Sequence, residues 1–499
     1  LMNKLIIPSA GAATRFFELG KHFPKSLLPF KNKPLLLYSL EKYHKLYDEI
    51  VIVVSENQQL YEEILNYYEY KNVKVQSVSK DLKQGPATSV YCGLDGTENS
   101  ITILLSDALY NVDISEIPED SISAMEVTDF SRWCMVDKDM KFYDKPITKP
   151  PTKLAVSGIY KFSDPKLYYK ISEEYISRSD ESETQFSNIL EIYNDEKKLH
   201  IYEHPTKAFL DFGTIEQYIQ NKNLPFGRSF NNIRFESNSV FKSSKLNPLK
   251  IINEGMWLKH FPVNQNLIPK LIDINIKDAE IEIDLVSGFT LRELLLYYDN
   301  SNNLWEKLFK KLKMFMNDCS EYQFNTDEFW RKIFDKTVLR SGEGENEFLD
   351  YFKKLILESE FSQQTTVFHG DLVLSNIIYE PNRENIKIFD PMGDIYGHWV
   401  YDLAKLGQCV LGNYDLIDSE MYISEKNFYR LFSTDRNEIQ RLFFEIFNKE
   451  IELITPKFLY ALIASLYLSL IPLHSHNSQN QKLYYQEYNY FFNLSKKER

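Results

Sequence analysis

The sequence is poor in the residues that build disulfide or zinc frameworks. Of its 499 residues only four are cysteine, and they stand far apart without a C-x-x-C pair. Nine histidines are scattered along the chain, with one close pair at His474 and His476. This pattern excludes a cysteine-based zinc site and is typical of a reducing compartment. We therefore expect a cytoplasmic protein.

A surplus of positive charge is also missing. Lysine and arginine number 58 against 71 aspartates and glutamates, which gives a formal net charge of −13. A nucleic-acid-binding surface needs clustered lysine and arginine. Nucleic acid is therefore not an expected partner.

The chain also lacks a long hydrophobic run. The longest, 458–473, falls short of the ~20 residues that span a bilayer and has a proline close to its end. The sequence opens on a hydrophobic strand rather than on a basic region, an apolar core and a cleavage site. We expect a buried helix at this run, no membrane span and no signal peptide.

The order of predicted strands and helices in the first part of the chain predicts a parallel sheet. The first 130 residues alternate short apolar strands with amphipathic helices, a pattern that predicts a parallel sheet covered by helices on both faces. Ligands of such sheets bind at the carboxyl ends of the strands. We expect functional residues in the loops that follow the strands.

The chain is too long for one hydrophobic core, because domains typically contain ~100–200 residues. A polar stretch with a proline and a glycine, 219–235, predicts a linker. Strand-like segments follow at 233–244 and 279–288, and then mostly helical sequence, which predicts a small sheet-containing lobe and a larger helical lobe. We predict two domains, 1–225 and 230–499.

A loop of small residues follows the first apolar strand. It reads "GAATR" (11–15), and "PKSLLP" (24–29) comes nine residues later. Small side chains let backbone N–H groups approach phosphate oxygens, and a helix start adds the positive end of its dipole. Arg15 and Lys25 would supply positive charge. The pattern indicates a phosphate-binding site.

This opening resembles the A-G-x-G-T-R and P-K motifs of the bacterial sugar-phosphate nucleotidyltransferases. Ala13 stands where the second glycine of the motif usually lies, which narrows the freedom of the loop backbone. The resemblance covers most of residues 4–222 and implies a Rossmann-like α/β domain with a mostly parallel sheet. Four further stretches resemble the family in the right order: "KQGPATSVYCGL" (83–94), "ILLSDAL" (103–109), "DKPITKPPTKLAVSGIYKFSD" (144–164) and "FLDFGT" (209–214).

The resemblance also implies roles for individual residues. Asp107 and Asp211 would hold a Mg²⁺ ion that bridges the nucleotide phosphates. Arg15 and Lys25 would stabilise the leaving pyrophosphate, and Lys145 would hold the phosphate of the acceptor. The remaining implied residues bind the nucleotide (Gly11, Ala12, Ala13, Thr14, Gln84, Gly85 and Ser89) or the acceptor (Gly158 and Glu183).

The chemistry agrees with this set of residues. The attacking group is a phosphate monoester, largely a dianion at pH 7 because its second pKa is about 6. No general base is then required, and charge neutralisation with in-line positioning suffices.

A second motif lies near the other end of the chain. "HGDLVLSN" (369–376) and "IKIFDP" (386–391) have the spacing of an aspartate, an asparagine five residues later and an aspartate at a strand end. A hydroxyl nucleophile must lose a proton as it attacks, so a nearby carboxylate base is useful. Asp371 is the candidate base, and Asn376 and Asp390 are candidate Mg²⁺ ligands.

This region resembles the aminoglycoside phosphotransferase and choline kinase superfamily, whose catalytic loop is H-G-D-x-x-x-x-N. The resemblance implies a bilobal, protein-kinase-like (α+β) domain that binds ATP, with Lys242 on the phosphates and Glu254 as its partner. An aspartate in "YDLAKL" (401–406) would brace the catalytic loop. Met392 and His398 differ from the residues that close relatives have at these positions. This difference leaves open the alternative of an inactive lobe used for binding or assembly.

Together the resemblances imply an enzyme that joins an NTP to a hexose, ketose or polyol phosphate and releases pyrophosphate, with an attached small-molecule kinase that uses ATP. CTP is favoured because "SVYCGL" resembles the S-V-x-x-G-L helix of cytidylyltransferases, while dTTP and UTP stay open. Such products feed capsular and other surface polysaccharides. The alternative is a choline or ethanolamine kinase fused to a phosphocholine cytidylyltransferase, which needs an aromatic cage. The sequence leaves the oligomeric state open.

Overall fold

The structure is a computed structural model that divides into two compact units, Leu1–Leu224 and Pro225–Arg499. The residues that it describes are 2–11, 16, 20, 24–30, 33–79, 81–82, 85–178, 184–222, 232–236, 238–262, 265–298, 301–341, 344–422 and 436–498.

The first unit is built on a mostly parallel sheet. Its strands are β1 (Met2–Pro8), β2 (Pro29–Phe30), β3 (Lys33–Pro34), β4 (Glu49–Val54), β5 (Val73–Ser77), β6 (Glu98–Leu104), β7 (Ala108–Tyr110), β8 (Ser121–Glu126), β9 (Cys134–Val136), β10 (Phe142–Asp144), β11 (Leu154–Phe162), β12 (His200–Glu203) and β13 (Phe209–Asp211). Nine of them form one sheet with the path β10-β9-β11-β6-β1-β4-β5. Strand β8 also pairs with β11, and β12 pairs with β8.

Parallel pairing holds the centre of this sheet together. Strands β6, β1, β4 and β5 are parallel neighbours, whereas β11 pairs antiparallel with β6. The inner strands β1, β4 and β6 contain nearly continuous apolar runs because both of their faces are covered, and Ile6, Val53 and Ile103 are fully buried. The prediction of a mostly parallel, Rossmann-like sheet is confirmed.

Helices supply the cover. They are α1 (Leu35–Tyr43), α2 (Gln58–Tyr67), α3 (Pro86–Cys92), α4 (Pro165–Arg178), α5 (Phe186–Glu196) and α6 (Ile215–Lys222). The aromatic side chains of Tyr168 and Tyr193, from α4 and α5, pack beside Phe162 of β11 with ring centroids 4.6 and 4.8 Å from that ring. These contacts extend the core from the sheet to the helices.

The second unit begins with a small antiparallel sheet. Its strands are β14 (Asn232–Phe235), β15 (Ser239–Ser243), β16 (Leu271–Asn275), β17 (Glu280–Asp284), β18 (Phe289–Thr290), β19 (Gln323–Phe324), β20 (Thr365–Val367), β21 (Ile377–Glu380), β22 (Asn385–Ile388) and β23 (Tyr396–Gly397). The first four form the sheet β14-β15-β17-β16. The predicted linker 219–235 is wrong at both ends, because α6 continues to Lys222 and β14 begins at Asn232.

The rest of the second unit is mostly helical. Its helices are α7 (Pro248–His260), α8 (Leu291–Glu293), α9 (Asn302–Ser320), α10 (Glu328–Arg340), α11 (Asn346–Glu358), α12 (Trp399–Val410), α13 (Tyr414–Asp418), α14 (Asn437–Ile446), α15 (Asn448–Ile454), α16 (Pro456–Leu470) and α17 (Ser478–Lys497). Helix α7 packs closely on the small sheet, because a Cβ at Gly255 would lie 2.7 Å from the side chain of Ile281. The second unit is thus mostly helical after a small sheet, and its kinase-like fold stays a prediction.

The hydrophobic run at 458–473 lies mostly in α16. Among the described residues one helical stretch, Pro456–His474, is long and apolar enough to cross a membrane by length and composition alone. In the structure α16 packs against α10, α12 and α17, and Leu459, Leu462 and Ile463 are fully buried. The run forms part of the core of the second unit.

Candidate active sites

The two aspartates that we predict to bind metal lie side by side at the carboxyl edge of the first sheet. Strands β7 and β13 pair antiparallel with Asp211 opposite Ala108, and the amide of Phe212 donates a 2.9 Å hydrogen bond to the carbonyl of Asp107. A Cβ built on Gly213 would lie 3.0 Å from Asp211 Oδ1 and 3.6 Å from Asp107 Oδ2. Both carboxylates therefore reach the same small space beside this glycine.

Lys25 joins the aspartate pair. Its side chain extends from a 3₁₀ turn, Lys25–Leu27, and its Nζ lies 3.7 Å from Asp107 Oδ2. The same ammonium group donates a 3.4 Å hydrogen bond to the carbonyl of Gly213. The fold thus brings together three residues that are far apart in the sequence.

The electrostatics of this cluster suit a divalent cation. Burial raises the pKa of Asp211, and the charge of Asp107 adds to the increase, although the Gly213 amide and nearby cations oppose it. A divalent cation would relieve that repulsion, and Mg²⁺ commonly binds one or two protein carboxylates while substrate phosphates complete its coordination. The described part of the chain has no group of three or more metal-binding side chains. The residues present fit Mg²⁺ bound together with a nucleotide.

Lys145 is the predicted ligand of the acceptor phosphate. It follows β10 with a φ of 42°, a left-handed conformation that is uncommon outside glycine and recurs at functional sites. Its amide donates a 2.9 Å hydrogen bond to the carbonyl of Trp133, and its half-exposed Nζ lies 3.8 Å from Asp144.

Gly158 holds the backbone beside the aspartate pair. It has a φ of +102°, and a Cβ there would lie 2.7 Å from the hydroxyl oxygen of Tyr110, so a larger residue does not fit. Its carbonyl accepts a 3.0 Å hydrogen bond from the amide of Leu105, two residues before Asp107. Gly158 therefore positions the end of β6.

The predicted base-binding segment begins α3. Gly85 precedes the helix with a φ of +146°, and a Cβ there would clash with Thr184. The buried Ser89 hydroxyl donates a 3.0 Å hydrogen bond to the carbonyl of Gly85. The Ser89 hydroxyl therefore has a hydrogen-bond partner within the described residues, the carbonyl of the residue that precedes α3.

Of the remaining predicted residues in the first unit the structure describes one, Gly11. Gly11 is described and exposed, and a Cβ there would have open space around it. The other predictions in this group lie outside the described residues and stay predictions: Ala12, Ala13, Thr14, Arg15, Gln84 and Glu183.

The sequence interpretation missed Arg132. Its Nη1 lies 3.0 Å from Asp211 Oδ2, and its guanidinium carbon lies 4.7 Å from the ring centroid of Trp133. A local signal exists, because the carboxylate of Asp129 accepts hydrogen bonds from Ser131 and forms a turn just before β9. That turn brings Arg132 to the site, but the sequence of the turn does not indicate that the partner of the arginine is Asp211.

In the second unit Lys242 joins two of the predicted carboxylates. Its Nζ lies 2.6 Å from Glu254 Oε2 on α7 and 2.8 Å from Asp390 Oδ1 after β22. Burial acts to raise the pKa of Asp390, but Lys242 outweighs it and lowers that pKa. Asp390 has a φ of 59°, again a left-handed conformation outside glycine. The three residues form one ion cluster, in which Lys242 and Glu254 are buried and the Asp390 side chain is 28% exposed.

The loop at 369–376 is held in a defined shape. The side-chain amide of Asn376 donates a 3.0 Å hydrogen bond to Asp371 Oδ2. The amides of His369 and Gly370 donate to the two carboxylate oxygens of Asp402, over 2.7 and 2.8 Å. Burial raises the pKa of Asp402 to about 7. Asp402 is thus the brace that "YDLAKL" predicts.

His369 is a packing residue in this loop. It is fully buried, and its burial lowers its pKa to about 4. The amide of Asp371 donates to its Nδ1 over 3.2 Å, so its Nε2 carries the proton and donates to the carbonyl of Phe389 over 3.1 Å. The ring therefore connects the loop to the residue before Asp390.

Lys405 is a second residue that the sequence interpretation missed. Its Nζ lies 3.0 Å from Asp371 Oδ1, and only 16% of its side chain is exposed. It lies on α12 three residues after Asp402, so the two side chains share one face of the helix. The motif "YDLAKL" contained both residues, but only tertiary packing shows that the lysine pairs with the candidate base.

The fold and the aspartate pair of the first unit agree with a family match. Residues 4–224 match the family model described as "Nucleotidyl transferase". The first unit is therefore a nucleotidyltransferase domain. The match ends where the first unit ends, so the kinase-like nature of the second unit stays a prediction.

The chain is also similar to individual curated proteins. The chain is 26% identical to the bifunctional protein GlmU of Methanocaldococcus jannaschii over 185 residues, which is 36% of this chain and 44% of the relative. It is 33% identical to the 2-C-methyl-D-erythritol 4-phosphate cytidylyltransferase of Clostridium botulinum over 126 residues, 24% of this chain and 52% of the relative. The chain thus spans about half the length of these curated relatives.

One solved structure of similar outline is the CTP:phosphocholine cytidylyltransferase of Streptococcus pneumoniae. The alignment covers 44% of this chain and 98% of that chain, with 17% sequence identity and a TM-score of 0.39.

Proposed function

We propose that the first unit transfers a nucleotidyl group from an NTP, preferably CTP, to the phosphate of a sugar or polyol and releases pyrophosphate. The observation that carries the proposal is the meeting of Asp107 and Asp211 beside Gly213, with Lys25 next to Asp107. The family match over residues 4–224 supports it.

We assign each residue of the cluster, and Lys145, a role in this reaction. Asp107 and Asp211 would hold Mg²⁺, which when bound neutralises charge on the nucleotide phosphates. Lys25 stabilises charge on the leaving pyrophosphate, and Lys145 binds the acceptor phosphate. A phosphomonoester is largely dianionic at pH 7 because its second pKa is about 6, so it attacks without a general base.

The preference for CTP and the pathway rest on similarity. The segment "SVYCGL" and the identity to a cytidylyltransferase both support CTP. We propose that the product is an activated donor for capsular or other surface polysaccharide and that it is made in the cytoplasm.

We propose that the second unit is a small-molecule kinase that makes the acceptor of the first unit from ATP and an alcohol. Asp371 would accept the proton of the hydroxyl, and Asn376 and Asp390 would hold Mg²⁺. Lys242 would bind the phosphates of ATP. The contacts between Lys242 and Glu254 and between Asp371 and Asn376 support this assignment. Joining the two activities raises the local concentration of the intermediate.

A substrate panel tests the first proposal. Pyrophosphate release is measured for CTP, UTP and dTTP against hexose, ketose and polyol phosphates and phosphocholine, with Mg²⁺. We expect CTP with one sugar or polyol phosphate to be fastest. Preference for phosphocholine would favour the choline pathway instead, and no release from any pair would contradict the proposal.

A coupled assay tests the kinase proposal. The unphosphorylated acceptor, ATP and the NTP are supplied together, and the nucleotide-linked product is followed in the wild type and in Asp371→Asn. We expect product from the wild type alone. If neither protein forms it, while both form it from the phosphorylated acceptor, the second unit is a binding or assembly module.

A further inference from the structure

We infer that Arg132 is a ligand for the acceptor phosphate, and that it forms an ion pair with Asp211 until a divalent cation binds to that carboxylate. The inference rests on the proposed function of the first unit. It deepens that proposal because it assigns the acceptor phosphate a second positively charged side chain, in addition to Lys145.

Both carboxylate oxygens of Asp211 already have a partner. Oδ1 accepts a 2.8 Å hydrogen bond from the amide of Gly213, and Oδ2 lies 3.0 Å from Arg132 Nη1. The amide is fixed by the chain, whereas the arginine side chain is 42% exposed and can rotate away. A cation that binds Asp211 through Oδ2 therefore replaces Arg132.

Charge balance favours that exchange. With the site free of metal, Lys25 lies near Asp107 and Arg132 lies against Asp211, so two positive charges offset two negative charges. A divalent cation supplies the same two charges. The positive charge of Arg132 is then no longer needed by Asp211, and the guanidinium can bind another anion.

Local contacts keep the displaced guanidinium at the site. Arg132 Nε lies 3.9 Å from Asp129 Oδ2, and the guanidinium carbon lies over the ring of Trp133. The carbonyl of that tryptophan accepts the amide of Lys145, the predicted acceptor ligand. Arg132 is therefore one residue from the backbone contact that holds Lys145, on the acceptor side.

Guanidinium chemistry suits the assigned ligand. An arginine presents a planar fork of N–H donors that binds phosphate through two parallel hydrogen bonds. A phosphomonoester acceptor, as a dianion, would then have Lys145 and Arg132 as ligands.

The two roles of Arg132 predict effects of opposite sign. Arg132→Gln removes the competitor for Asp211, so metal affinity without substrates should increase about two- to fivefold, the range expected for an exposed ion pair. The same change removes a phosphate ligand, so the KM for the acceptor should rise about 10- to 100-fold. A purely structural role would not improve metal binding.

The experiment titrates the full-length protein with Mn²⁺ and follows free Mn²⁺ by electron paramagnetic resonance. Wild type, Arg132→Gln and the exposed control Arg178→Gln are compared, and the binding that Asp107→Asn loses defines the site. KM values for the acceptor and the NTP follow. Arg178→Gln should match the wild type, and Arg132→Lys should fall between, because it keeps the charge and loses the fork.

Tighter Mn²⁺ binding together with a raised acceptor KM, at an NTP KM within about twofold of the wild type, supports the inference. Unchanged or weaker Mn²⁺ binding in Arg132→Gln overturns it, and so does an unchanged acceptor KM. If wild type turns over no substrate pair, the proposed function fails, and the Mn²⁺ titration still shows whether Arg132 competes at Asp211.

Discussion

The two units use similar residues but compensate their charges differently. In the first unit two carboxylates face the same space, and burial together with Asp107 raises the pKa of Asp211. In the second unit Asp390 lies against Lys242 and Asp371 lies against Lys405, and the pKa of Asp390 is lowered. Each of these aspartates has a positively charged partner in both units. At Asp211 burial and the second carboxylate outweigh the positive charges, whereas at Asp390 Lys242 outweighs burial.

This difference predicts how each site responds to ligand. A cation that binds Asp107 and Asp211 relieves their repulsion and displaces Arg132, whose side chain is 42% exposed. A cation that binds Asp390 must compete with Lys242, which Glu254 also holds. Nucleotide phosphates that attract Lys242 would free Asp390. We therefore expect the second site to bind metal well only together with a nucleotide.

The largest effects should come from the aspartates of the two sites, beginning with the pair in the first unit. Asp107→Asn removes one of the two negative charges, and we expect nucleotidyl transfer to fall about 10²- to 10³-fold, as when one charge-stabilising group is lost from an active site. Pyrophosphate release is the measurement. Glu116→Gln, an exposed change in the same unit, is the control, and a near wild-type rate in Asp107→Asn would show that the metal assignment is wrong.

A comparable loss confined to the second unit should follow from Asp371→Asn. The variant keeps the size of the side chain but cannot accept a proton, and general-base catalysis contributes about 10²- to 10⁴-fold. ATP-dependent phosphorylation should fall by that factor, while nucleotidyl transfer to a phosphorylated acceptor stays at the wild-type rate. Asp350→Asn, an exposed change, is the control. Parallel loss of both activities would contradict independent sites.

A smaller effect should separate the two lysines of the first unit. Lys145→Ala should raise the KM for the acceptor about 10- to 100-fold, because a charged hydrogen-bond donor to a ground-state ligand is lost. Lys25→Ala should act mainly on kcat, because pyrophosphate gains charge as it leaves. Steady-state kinetics with each substrate varied gives both constants. Equal acceptor KM values in wild type and Lys145→Ala would remove the proposed role.

The sequence predicted a site residue well where that residue directly follows a strand. It predicted less where the residue reaches the site through contact with a residue distant in the sequence. Asp107 could be expected at the carboxyl edge, because it follows a central strand. Asp211 became a candidate only through the family resemblance, since its partner strand β7 lies a hundred residues earlier. Arg132 and Lys405 were missed because a turn and a helix face do not specify which distant carboxylate they meet.

The smallest effect concerns acid stability and sharpens the contrast between the units. Four of the five tryptophans lie in the second unit, so their fluorescence mainly reports its unfolding. His398 caps α12 by accepting the amide of Val400, and burial lowers its pKa to about 3. The folded state keeps it neutral while the unfolded state binds a proton below about pH 6.5, so stability is lost as pH falls from 6.5 toward 3.

His398→Asn tests this contribution, because asparagine can also cap a helix but does not titrate. At pH 5 the histidine should cost about 2 kcal/mol of stability relative to neutral pH. The loss in unfolding free energy between pH 7.5 and pH 5, measured with urea, should therefore be about 2 kcal/mol smaller in the variant. The exposed control His260→Asn should behave as wild type. Equal losses in His398→Asn and wild type would mean that His398 binds its proton equally well in both states, and that acid weakens the second unit through other groups.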